Sequence, residues 1–242
     1  MVNHTHYIPS NYTHEWRVAG VPPFLPFLPT PILELFPLLS EQGNPKLHAY
    51  LEGRGVRSET YKYFGVRYTE WGEIAFPFTS ILGNTIGLVF RNIETKKISG
   101  LKIPELSEDG IELPKKARMG AWFGLHLIDA KAPVLIVEGE IDAMFAFQCG
   151  FQNVISPGGM GPTKAQVKAI PNKVIYLGFD ADAAGRSGME QTTNRLGKHR
   201  NVWWVDWNLN GTSKDPSDLQ NAVEFWACMA KMKPILTGWL PW

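Results

Sequence analysis

The most constraining feature of this sequence is a series of short apolar runs in residues 131–220, each closed by a turn or a charge and separated from the next by a helical stretch. VLIVEGE at 134–140 begins as a continuous apolar run and leads into IDAMFAFQCG, which reads as a helix ending at Gly150. NVIS (153–156) is the second run, followed by the glycine turn PGGMG and the short helix TKAQVKAI. KVIYLGFD (173–180) is the third, leading into AGRSGMEQTTNRLG, and NVWWVDW (201–207) is the fourth. Apolar runs without alternation, joined by helices, predict buried parallel strands with crossover connections. The predicted fold class is therefore α/β, a parallel sheet flanked by helices. In such sheets ligands bind at the carboxyl ends of the strands.

Those strand ends are acidic. Glu138 follows the first run, with Glu140 and Asp142 just beyond it; Asp180 and Asp182 follow the third; the loop after the fourth, KDPSDL, supplies Asp215 and Asp218. Taken singly, each has an ordinary reading as a helix cap, a turn residue or, for Glu140 and Asp142, an acid facing solvent on a first helical turn. Together they place carboxylates from three strand ends along one edge. Two carboxylates ~4 Å apart repel by about 4 kcal/mol at an effective dielectric of ~20, so the group must hold protons or a cation. An all-oxygen set without His or Cys favours a hard ion, Mg²⁺ or Mn²⁺. Extended backbone would turn Asp180 and Asp182 to one side.

Residues 41–130 predict a smaller α+β lobe. LHAYLEGRGVRSETYKYFGVRY reads as two short helices, with Leu47, Tyr50 and Leu51 on one face and Ser58 capping the second. IAFPF (74–78), IGLVFRNIE (86–94) and KISGLKI (97–103) read as antiparallel strands, with IETKK as a hairpin turn. Residues 1–40 differ: Pro22, Pro23, Pro26, Pro29, Pro31 and Pro37 alternate with Phe and Leu, which blocks regular helix and strand and predicts an extended arm packed on the body or on a partner. Residues 221–242 begin as a helix and end in a tail carrying Trp239 and Trp242.

The net charge is +1, so any phosphate-binding surface has to be a local patch. Cys149 and Cys228 are the two cysteines; they make no metal-binding CxxC pair and fit a reducing cytoplasm. Apolar stretches are interrupted well short of ~20 residues, so neither a membrane span nor a signal peptide is expected.

VLIVEGEIDAMFAFQCG, VIYLGFDADAAGRSGME and KDPSDL resemble the TOPRIM domain shared by DnaG-type primases, topoisomerases and OLD-family nucleases. Within that group the likeness runs to phage and mitochondrial primase–helicases. YLEGRGVRSETYKYFGVRY, KKISGLKI and WFGLHLI resemble the amino-terminal lobe of the primase core, so the resemblance covers about residues 45–220. It implies a nucleotidyltransferase that makes short primers from NTPs on single-stranded DNA by two-metal catalysis. Glu138 would be catalytic, as metal ligand or general acid/base; Asp180 and Asp182 would be catalytic metal ligands; Asp215 would complete the site; Asp142 and Asp218 would be secondary acids. Lys102 resembles a nucleotide-contacting residue. Arg186, beside the D-x-D pair, can reach phosphate or lie on the helix surface, and Arg91, Lys96 and Lys97 can join Lys102 on a basic face or form a solvated hairpin. Gly158, Gly159 and Gly161 can admit phosphate or only connect strand to helix.

The first 40 residues hold no cysteine for the zinc module usual in phage primases, and GxxxxGK[ST] is absent. Template recognition would then come from elsewhere, come from a partner or be absent, and a helicase would be a separate partner. The same acids also suit a TOPRIM nuclease, and a non-catalytic module binding single-stranded DNA or a replication protein is the third reading.

Overall fold

The computed structural model describes residues 28, 30–39, 44–100, 120–159, 161–197, 200–208 and 211–235. The chain enters through a one-turn helix, α1 (Thr30–Glu34), where the arm was expected to be extended throughout. Pro31 stands in the first turn, where a missing N–H costs no bond. The described part of the arm docks on its own body. Leu38 bridges to Arg67, the Leu39 N–H donates to the Val66 carbonyl at 2.8 Å, and Phe36 packs against Phe90 with ring centroids 5.2 Å apart.

Helix α2 (Pro45–Gly53) starts at Asn44, whose side chain accepts from the Lys46 and Leu47 N–H groups, with Pro45 next in line. Leu47 and Leu51 are buried as their spacing predicts. Helix α3 (Ser58–Tyr63) begins one residue earlier than expected: Arg57 is its N-cap and Ser58 lies inside the first turn. An antiparallel sheet follows, from β1 (Arg67–Tyr68), β2 (Glu73–Thr79), β3 (Thr85–Asn92), β4 (Ile98–Gly100) and β5 (Trp122–Phe123). Its order is β1-β2-β3-β4, with β5 also paired to β2.

The second sheet contains β6 (Val134–Val137), β7 (Val154–Ile155), β8 (Val174–Gly178), β9 (Asn201–Trp204) and β10 (Lys233–Pro234), in the order β10-β9-β8-β6-β7. β6 to β9 are mutually parallel and β10 closes the edge antiparallel to β9. The crossovers are α4 (Glu140–Gln148), α5 (Lys164–Ala169) and α6 (Ala183–Leu196), and α7 (Ala222–Met229) precedes β10. α5 and α6 cover one face, where Val167, Ile170, Met189 and Leu196 join Ile136, Ile175 and Leu177. α4 and α7 cover the other, where Met144 and Phe225 join Leu135 and Val137.

That second face is also where the amino-terminal lobe sits. Leu47, Leu51, Tyr61, Phe64 and Phe76 share one buried cluster with Val137, Met144 and Phe145. Phe123 exchanges both backbone hydrogen bonds with Ser156, joining the two sheets directly. The division near residue 130 thus separates two sheets and not two cores. One consequence is that helix α2 is held rigidly beside the carboxyl edge of the parallel sheet.

Candidate metal centre

β6 and β8 are adjacent and parallel, with Val137 opposite Gly178, so the chain leaves both strands at the same level. Glu138 is the next residue after β6, and its carboxylate accepts the backbone N–H of Asp180. The β8 exit is pinned by Trp207, whose indole N–H donates to the Gly178 carbonyl at 2.9 Å. A Cβ on Gly178 would stand 2.5 Å from that ring, so glycine lets the indole close over the strand end. The third acidic loop is tied in by the Ala181 N–H, which donates to the Lys214 carbonyl at 2.7 Å. Three stretches distant in sequence are thereby brought to one sheet edge.

One carboxylate oxygen from each of Asp142, Asp180 and Asp215 lies within 4.8 Å of the others. Of the expected ligands Glu138, Asp180, Asp182 and Asp215, this group contains Asp180 and Asp215. Asp142, expected as a secondary acid, stands in the convergent group. Glu138 and Asp182 flank it closely enough to raise the proton affinity of Asp180. Asp182 has a second task, because its Oδ1 caps α6 by accepting from Ala184 and Gly185 N–H groups at 2.9 and 3.0 Å. Asp218 is exposed, and its Oδ2 accepts the Lys214 N–H at 2.9 Å, stiffening the loop.

Asp142 and Glu140 are both buried, against the reading that they face solvent. The signal lay in α4 itself: IDAMFAF is apolar on every side, so the helix has no solvated face to receive them. The Asp142 carboxylate fills the space a side chain at Gly139 would need, where a Cβ would be 2.6 Å from Oδ2.

Burial and mutual repulsion raise the proton affinity of Glu138, Asp142 and Asp180. Desolvation, then the charges of Glu138, Asp215, Asp182 and Asp218, push Asp180 up to about 7. Glu138 is also raised, by burial first and then by Asp182, with Asp215 adding to it; the hydrogen bond from Asp180 opposes the shift. Asp142 is raised well above the carboxylate range, by burial and then by Asp215. Its Oδ1 is buried without a hydrogen-bond partner, a costly state for a carboxylate oxygen. A hard dication fits this donor set, because the oxygens are convergent and one is orphaned.

Two contributors were not singled out from the sequence. Arg54, the C-cap of α2, donates through Nη2 to the Ser217 hydroxyl at 2.6 Å, and Ser217 donates to Asp215 Oδ1 at 2.8 Å. The charge of Arg54 also lowers the proton affinity of Asp142. The only sequence cue was the position of Ser217 within KDPSDL; Arg54 carried none, since its partner is 163 residues away.

Comparison with known proteins bears on this architecture. A family model described as Toprim-like matches residues 135–220. The chain is similar to the Twinkle homolog protein, chloroplastic/mitochondrial, of Arabidopsis thaliana, with 27% identity over 146 residues, 52% of this chain and 20% of that protein. It is similar to a DNA primase of Borreliella burgdorferi, with 26% identity over 169 residues, 64% of this chain and 32% of that protein. It superposes on the DnaG primase catalytic domain bound to ssDNA with a TM-score of 0.62 at 18% identity, over 81% of this chain and 75% of that one. Its fold is that of a TOPRIM primase core. The chain spans about a fifth to a third of the length of these curated relatives.

Arg186 is exposed on the first turn of α6, with Nη1 3.5 Å from the Ala181 carbonyl. Lys97 is exposed at the β3–β4 hairpin, and Lys102 lies outside the described residues, as do Trp239 and Trp242. Gly158, Gly159 and Gly161 all have positive φ, as the turn requires. No helix among the described residues is long and apolar enough to cross a membrane.

Proposed function

We propose that this TOPRIM core is the catalytic part of a primase, joining NTPs into short primers on single-stranded DNA with Mg²⁺ or Mn²⁺. The observation that carries this reading is the convergence of Asp142, Asp180 and Asp215 oxygens beside Glu138 at the carboxyl edge of the parallel sheet. Similarity to proteins named DNA primase and a fold shared with a primase catalytic domain support the reading.

In this reading Asp142, Asp180 and Asp215 hold the dication, and Asp182 both caps α6 and adds negative charge beside it. A bound dication would supply Lewis-acid polarisation of phosphate oxygens and charge neutralisation as a phosphoryl bond forms and breaks. Glu138, whose proton affinity is raised by burial first and then by Asp182, accepts or returns a proton. Arg54 and Ser217 hold Asp215 in place. Lys97, Lys102 and Arg186 supply cations for nucleotide or template phosphates, and a separate helicase would deliver the single strand.

The test is incubation of the protein with single-stranded DNA, labelled NTPs and Mg²⁺ or Mn²⁺. Labelled short oligomers that vanish in Asp180→Asn support the proposal. Shortened DNA in place of new oligomers would convict the site of nuclease chemistry. Retained DNA binding without either product would assign a non-catalytic role.

A further inference from the structure

A groove of about 650 Å³ runs between α5 and α6 on the face of the parallel sheet that these helices cover. Lys164 and Lys168 line it from α5, Gln191, Asn194 and Arg195 from α6, and Arg200 from the approach to β9. Among the described residues lining it none is acidic. Four cations in one groove is a strong local excess for a chain whose formal net charge is +1.

The arginines are fixed without being neutralised. Arg195 donates to the Pro162 carbonyl at 2.6 Å and to Gln191 Oε1 at 3.2 Å. Arg200 donates to the carbonyls of Ile170 at 2.9 Å, Val167 at 3.3 Å and Asn172 at 3.4 Å. These acceptors carry no formal charge, so both guanidinium charges persist at set positions along the groove wall. Lys164 and Lys168, four residues apart on one face of α5, are exposed. Gln191 and Asn194 add amide groups suited to sugar and phosphate oxygens.

A row of cations over a shallow, partly apolar floor, without acceptors arranged to read an edge, suits a repeating anion. We infer that this groove binds the phosphate backbone of a nucleic-acid strand, independent of sequence, as an outlying track for the single strand. It stands apart from the acidic edge. Asp182 and Arg195 lie thirteen residues apart on α6, about 20 Å at the helical rise. The inference goes beyond the catalytic reading and does not need a metal at the sheet edge.

The experiment measures binding of a labelled oligothymidylate by fluorescence anisotropy across a salt series, in EDTA so that no metal-dependent contact contributes. The variant is Lys164→Ala with Lys168→Ala, both exposed. If each lysine meets one phosphate, the slope of log affinity against log salt falls by about 1.4, at roughly 0.7 per phosphate on a single strand. Affinity at low salt then drops severalfold, and Lys164→Arg with Lys168→Arg restores it. Lys131→Ala, at an exposed lysine that does not line the groove, retains the parent's affinity and slope, which ties the loss to the groove and not to surface charge in general. Affinity and slope equal to the parent's in the double alanine variant would overturn the inference. So would lysine-dependent binding of polyglutamate with none of the oligonucleotide, which would assign the groove to an acidic protein segment.

Discussion

Arg54 and Ser217 are joined by a hydrogen bond of 2.6 Å that ties the amino-terminal lobe to the third acidic loop. Ser217 passes the contact on to Asp215 Oδ1, so helix α2 sets where one proposed metal ligand stands. Removing the hydroxyl in Ser217→Ala deletes one orienting bond of about 0.5–1.5 kcal/mol. We expect Mn²⁺ affinity, read by calorimetric titration, to fall about 2- to 10-fold, with Ser217→Thr near the parent. Unchanged affinity in Ser217→Ala would show that Asp215 is positioned by the backbone alone.

Gly185 is required by contact and not by dihedral angle. A Cβ there would stand 2.1 Å from the Asp180 carbonyl oxygen and 2.8 Å from its nitrogen. Both are backbone atoms of the loop that carries the D-x-D pair, so neither can swing aside. Gly185→Ala should cost about 1–3 kcal/mol, the usual range for overpacking, and weaken metal binding with it. Gly53→Ala is the control, since its Cβ would meet nothing within 4 Å; its melting temperature should equal or exceed the parent's. Thermal unfolding of the two variants checks the pair.

Asp182 works in two ways that its substitutions separate. Its Oδ1 accepts two N–H groups at the start of α6, so Asp182→Ala loses about 0.5–2 kcal/mol of stability along with a carboxylate. Asp182→Asn keeps an equally good cap and removes the charge, so its unfolding midpoint should match the parent's while its metal response weakens. Equal midpoints for the alanine and asparagine variants would refute the capping role.

The sequence was most legible where burial was complete. The runs at 134–137, 174–178 and 201–204 became β6, β8 and β9, because a strand covered on both faces must be apolar throughout. β10 left no such trace. It is Lys-Pro at a sheet edge, held by backbone pairing and by Lys233 lying 5.5 Å from the Trp204 ring centre. The acidic edge was legible because three strand ends carried acids, whereas the place of Asp142 within it depended on a helix buried on all sides. Arg54 was illegible because its role arises from a lobe–lobe contact, and contacts of that range leave no local spacing to read.

Proton binding by the acidic edge gives a pH dependence whose sign is fixed. Asp180 titrates at about 7 in the folded protein, against roughly 4 for an unfolded Asp. Between those values the folded state binds more protons than the unfolded state, so metal-free stability falls as pH rises from about 4 to about 7. Glu138 and Asp142 are shifted in the same direction and add to the fall. A dication competes with those protons and binds the folded state, so it should restore stability where the carboxylates are ionised. The rise in melting temperature on adding Mg²⁺ or Mn²⁺ is therefore expected to be larger at pH 8 than at pH 5.5, and to shrink in Asp180→Asn. A metal-induced rise that is the same at both pH values would mean that the ion binds elsewhere, since nothing else at this edge supplies a proton to displace.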